Sequence, residues 1–64
     1  MTHRVTFYDL ENAGDLIDWA LENCTSFDST LTTDISDVSL QYDTVYDFFF
    51  NSESDAIWFK LRWS

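Results

Sequence analysis

One cysteine, Cys24, and one histidine, His3, leave this chain of 64 residues without a disulfide and without a zinc cluster to staple it. A domain of this size buries only about 60% of its unfolded surface. A single core of this kind supplies roughly 3–5 kcal/mol. The chain must therefore build a dense aromatic core or lean on another chain. At 45% hydrophobic and 19% aromatic, it has material for both, and this argues against intrinsic disorder. The expectation is one acidic domain spanning 1–64.

Charge is the second constraint. The formal net charge is −9. All 12 acidic residues lie between Asp9 and Asp55, and that stretch contains no Lys or Arg. Arg4, Lys60 and Arg62 sit outside it. Such a balance disfavours direct binding to nucleic acid or to an anionic membrane. It favours basic protein surfaces as partners, with plain solubility as the bland alternative.

The strongest periodic signal covers Ala13 to Asn23. Ala13, Leu16, Ile17, Ala20, Leu21 and Cys24 recur as one apolar helical face. Asn12 suits the N-cap, and Asp15 is placed to return a hydrogen bond as in a capping box. Glu11, Asp15, Asp18 and Glu22 follow i, i+4, i+7, i+11 and form an acidic stripe opposite that face. Their axial steps would be roughly 6, 4.5 and 6 Å. Trp19 flanks the apolar face, as a lid over the core edge or as a surface anchor.

Elsewhere the period is two. Arg4 to Tyr8 reads as a strand, and Thr25 to Asp34 as a polar connection with Phe27 and Leu31 tucked onto the core. Alternation resumes at Val38 and runs to Phe50, as one strand or two, and returns from Ala56 to Trp63 after a turn at Asn51–Asp55. Pairing 44–50 with 56–63 as a hairpin sets Phe50 opposite Ile57, Phe49 opposite Trp58 and Asp47 opposite Lys60. The predicted class is α+β in the order β-α-β-β. One helix packs on one face of a small, mostly antiparallel sheet of three strands, with a fourth possible at 37–42. The outer sheet face then shows Val45, Phe49 and Trp58, with Tyr8 nearby.

Little in the chain suggests catalysis. One His, one Cys on the apolar stripe and no glycine-rich loop leave few parts for an active site, so neither an enzyme nor a cofactor is expected. The Asn51-x-Glu53-x-Asp55 pattern starts like a calcium loop, but Ala56 stands where glycine is needed and Arg62 where the closing Glu should be. No metal is expected. The Asn23-Cys24-Thr25 sequon carries no weight without a secretory signal, and none is visible, so a cytoplasmic location is expected.

The sequence therefore predicts a small binding protein. Glu11, Asp15, Asp18 and Glu22 would attract a basic, possibly nucleic-acid-binding, surface of another protein, and Trp19, Phe49 and Trp58 would anchor it. In size and composition the chain resembles the small acidic inhibitors made by viruses, including those that imitate nucleic acid. The resemblance is one of class and carries no motif. The alternative is an assembly module that forms a homodimer through the outer sheet face.

Overall fold

In the computed structural model, residues 2–35, 39, 41 and 43–64 are described. The elements are β1 (His3–Tyr8), α1 (Ala13–Asn23), β2 (Phe27–Asp34), β3 (Thr44–Phe50) and α2 (Glu53–Trp63). The three strands form one antiparallel sheet in the order β1-β3-β2. The α+β class, the three-stranded antiparallel sheet and the helix at Ala13–Asn23 agree with expectation. The possible fourth strand at 37–42 falls largely outside the described residues.

Two assignments change. The segment 56–63, expected as the last strand, belongs to α2, so the hairpin with 44–50 does not form. Phe50 faces Phe27 and His3, not Ile57, and Phe49 faces Arg4 and Ser29, not Trp58. The physical signals for a helix lie just upstream. Ser52-Glu53-Ser54-Asp55 has the Ser-x-x-Asp form that opens helices. Glu53 and Asp55 occupy the first turn and Lys60 and Arg62 the last, an order that suits the helix dipole. The buried set is Ala56 and Phe59, with half-buried Trp63 one turn on. Ile57 and Leu61, read as core, are 52% and 72% exposed.

The segment 27–34, expected as a loop, is the edge strand β2. Its threonines are good strand formers once a partner strand is present. Only Phe27 is withdrawn from solvent; Leu31, expected on the core, is 54% exposed. A β-bulge between Phe27 and Ser29 leaves Asp28 as the extra residue.

Directly paired residues share a face of an antiparallel sheet, so the register sorts the side chains. One face carries Val5, Phe7, Tyr46, Phe48, Phe50 and Phe27. Here α2 packs against β1 and β3, while α1 approaches β2. Leu16, Ala20 and Cys24 of the α1 segment meet Val5, Phe48, Phe50, Ala56 and Phe59 in a single core. Phe59 is its centre, with ring centroids 4.9 Å from Phe48, 5.1 Å from Phe50 and 5.9 Å from Phe7. Removing a ring so placed costs about 3–5 kcal/mol, comparable to what such a small core supplies.

The apolar face of α1 is narrower than the sequence implied. Leu21 is 65% exposed, because burial centres on Leu16 and Ala20 and Leu21 lies beyond its edge. The predicted capping box is also absent. Neither Asn12 nor Asp15 makes a side-chain cap, and the first turn closes through Asp15 N–H donating to the Asn12 carbonyl at 3.0 Å.

Candidate functional site

The sequence placed four acids on one helical stripe. Asp15, Asp18 and Glu22 lie on α1 and are exposed. Glu11 is exposed too, but it precedes the N-cap Asn12 and is not part of the helix. At 100° per residue the three helical acids span an arc of about 60°. No basic residue lies in the last turn of α1, so Glu22 faces the negative end of the dipole unrelieved.

Other acids are held by the fold. Asp9 adopts a left-handed backbone (φ 49°), a conformation that Asp tolerates better than most residues. Its Oδ1 accepts hydrogen bonds from the N–H groups of Asp43 and Thr44, both at 2.9 Å. Asp55 Oδ2 accepts from Ser26. The expected Asp47–Lys60 pair does not exist: Lys60 is on α2, and Asp47 Oδ1 instead accepts from Thr6 Oγ1 at 2.7 Å across the β1–β3 pair. Among the described residues, carboxylate hydrogen bonds go to Asp9, Asp47 and Asp55, and to none of the four site acids.

The three aromatic candidates part company. Trp19 is half-buried and reaches across to α2, with its ring 5.0 Å from Trp58, 6.1 Å from Phe59 and 6.3 Å from Trp63. Trp58, expected on the outer sheet face, is instead on α2 and 47% exposed. Phe49 does lie on the outer sheet face, with Tyr8, Val45 and Leu31, and is half-buried. Trp19 and Trp58 thus form a seam between the helices, and the acidic arc of α1 begins beside Trp19. Phe49 is on the opposite side of the sheet.

The Trp19–Trp58 contact was invisible to a reading that put Trp58 on a strand. Once 53–63 is a helix, Trp58 and Trp63 fall at spacings that let one partner, Trp19, meet both. Arg62 lies over the Trp63 ring at 4.5 Å from its centroid.

Among the described residues, no group of three or more His, Cys, Asp or Glu side chains is placed to hold a metal ion. No described helix is long and apolar enough to cross a membrane. Cys24 is buried and free. Burial raises its thiol pKa above the ordinary value, and the nearby Asp55 charge adds to the effect. That is the reverse of what an activated nucleophile requires. Comparison of the chain with protein-family models, curated proteins and solved structures finds no match.

Proposed function

We propose that this chain is a small cytoplasmic binding protein that occupies a basic surface of another protein and so inhibits or regulates it. It acts by association and not by catalysis. The observation that carries this reading is the exposed arc of Asp15, Asp18 and Glu22, flanked by Glu11 and bordered by the Trp19–Trp58 seam. The acids supply long-range attraction, and the half-exposed Trp58 supplies desolvated contact. Exposed helices usually interleave Lys or Arg with their acids; this one does not. A surface that normally binds nucleic acid is the natural target for such a face, as with viral inhibitors that imitate nucleic acid.

The test is capture from lysate by immobilised protein at low and at high salt. A basic partner retained at low salt and lost as salt rises is the expected result. The variant with Asp15, Asp18 and Glu22 changed to Asn, Asn and Gln should lose that partner while staying folded. Equal capture by the variant would overturn the reading.

A second reading rests on the outer sheet face, where Tyr8 and Leu31 are 52% and 54% exposed beside Val45 and Phe49. A homodimer through this face would make the protein an assembly module. Trp58 takes no part in it. Size-exclusion of the wild type against Leu31→Lys tests it: a smaller apparent size for the variant supports the dimer, and equal monomeric sizes exclude it.

A further inference from the structure

The two edges of the sheet differ. Strand β1 is only partly exposed, whereas every residue of β2 from Asp28 to Asp34 is exposed. Edge strands are commonly blunted by Pro, Lys or a bulge. The chain has no Pro, β2 has no Lys, and its bulge lies at one end, which leaves 29–34 in regular register with β3.

Hydrogen bonds at the end of the ladder fix which backbone groups this edge presents. Ile35 N–H donates to the Asp43 carbonyl at 2.7 Å. The next residue, Thr44, is turned to β1, its carbonyl accepting from Asp9 N–H at 3.0 Å. Bonded and non-bonded pairs alternate along an antiparallel ladder. Leu31 and Thr33 therefore bond to β3, while Thr30, Thr32 and Asp34 direct their N–H and C=O groups outward.

Apolar side chains flank the edge on both faces. Half-exposed Leu31 is on the outer face with Val45 and Phe49. On the inner face α1 approaches β2, while α2 packs on β1 and β3. Trp19 turns toward α2. Ile17 and Leu21, two positions before and after it, lie about 160° around the helix from it, on the side of the β2 edge. Leu21 is exposed there.

Charge decides between occupants. Arg4 is on β1, Lys60 and Arg62 are on α2, and α1, β2 and β3 carry no Lys or Arg. Strand β3 separates Arg4 from β2. Asp28 and Asp34 are exposed on β2, and Asp18 and Glu22 on α1. The open edge thus belongs to the anionic side of the molecule. A second copy, at −9, is repelled there, and a basic strand is attracted.

An added strand gains main-chain hydrogen bonds from such an edge and specificity from its alternate side chains. We propose that the free edge of β2 takes up an extended, basic segment of a partner protein as an antiparallel strand, its side chains alternating between Leu31 on one face and Ile17 and Leu21 on the other. This rests on the reading of a basic partner and adds the place where a strand of it binds.

The experiment is a titration of the ¹⁵N-labelled full chain at low salt with acetyl-Lys-Thr-Val-Val-Val-Thr-Lys-amide, followed by amide shifts. Antiparallel pairing sets the middle residue of the peptide opposite Leu31, its third residue opposite Thr32, and its lysines near Asp34 and Asp28. Saturable shifts centred on 29–34, with smaller ones at Ile17 and Leu21, are expected at millimolar peptide. N-methylation of the third residue removes a donor to the Thr32 carbonyl and should weaken binding about tenfold. N-methylation of the middle residue, whose N–H points away, should leave binding unchanged. Replacing both lysines by Glu should weaken it about tenfold. No saturable shifts, shifts centred on β1, or equal binding by the Glu peptide would each overturn the proposal. Equal affinity of the two N-methyl peptides would overturn it too, and would leave capture of a partner by the α1 acids untouched. Shifts at 29–34 that grow with protein concentration alone would assign the edge to a second copy and overturn it as well.

Discussion

Asp55 Oδ2 accepts two hydrogen bonds from Ser26, one from its N–H at 3.2 Å and one from its Oγ at 2.6 Å. Asp55 is in the first turn of α2, and Ser26 lies between α1 and β2. Ser26 Oγ in turn accepts from Ser52 N–H at 3.1 Å, and the Ser26 carbonyl from Asn51 N–H at 2.9 Å. One residue of the α1–β2 connection thus closes the N-terminus of the second helix. Ser52 itself, at the N-cap of α2, makes no side-chain cap. Ser26→Ala and Asp55→Asn should each cost about 1–2 kcal/mol in urea denaturation. The double variant should cost clearly less than their sum, because both break one network. Additive losses would show that the network does not act as a unit.

Asp9 combines a left-handed backbone with two accepted hydrogen bonds from the entry of β3. Asp9→Ala forfeits both and should destabilise by about 2 kcal/mol. Asp9→Asn keeps an acceptor and a residue type that tolerates positive φ, so its loss should be less than half as large. Equal losses in the two variants, measured by thermal unfolding, would mean that the carboxylate charge itself is what matters.

Asp15, in the first turn of α1, suits the helix dipole, whereas Glu22 in the last turn opposes it. Glu22 stands at the negative end of the helix without a neighbouring base. Glu22→Gln should therefore stabilise by about 0.3–1 kcal/mol at low salt, an effect that fades as salt rises. Changing Glu11, Asp15 and Asp18 together to Gln and Asn should leave the fold intact or steadier. A triple variant that unfolds would reveal a structural duty for the stripe.

Cys24 gives a prediction in pH. Its thiol pKa is raised in the folded protein by burial first and Asp55 second. Above the ordinary thiol value, about 8.5, the unfolded chain releases this proton while the folded chain holds it. The contribution is complete below that pH and is lost as pH rises through the folded value. Stability should fall more steeply above pH 9 in the wild type than in Cys24→Ala. Thiol reagents should modify Cys24 at neutral pH only at the rate of unfolding; rapid modification of native protein would contradict the burial.

The α1 helix was legible because its apolar spacing over Ala13–Cys24 is helical and nothing competes with it. The strand at 44–50 was legible from alternation alone. The segment 53–63 was misread because an aromatic-rich alternation, Ile57-Phe59-Leu61-Trp63, imitates a strand. The order of charges along the helix and the burial of Ala56 and Phe59 on one side of it outweigh that alternation. Strand β2 was missed for the opposite reason: as a largely exposed edge it has no need of an apolar period, so its threonines looked like a loop. Asp15, Asp18 and Glu22 are exposed on α1, whose assignment neither error touches, while Glu11 falls outside the helix. The Trp19–Trp58 seam could not be read from the sequence, since it requires α2.

The position of Phe59 has a consequence for biosynthesis. Its ring meets Phe7, Trp19, Phe48 and Phe50, residues drawn from β1, α1 and β3. In the sequence it follows every one of them. A chain emerging from the ribosome can form α1 early, but β1 must wait for β3, and the core must wait for Phe59. Until then several aromatic side chains remain uncovered in a polypeptide that already carries all of its acidic residues. Mutual repulsion among those charges would keep neighbouring nascent chains apart during this interval. The same acidity that suits a binding surface would thus also serve as a solubilising escort for a fold that closes only at the last helix.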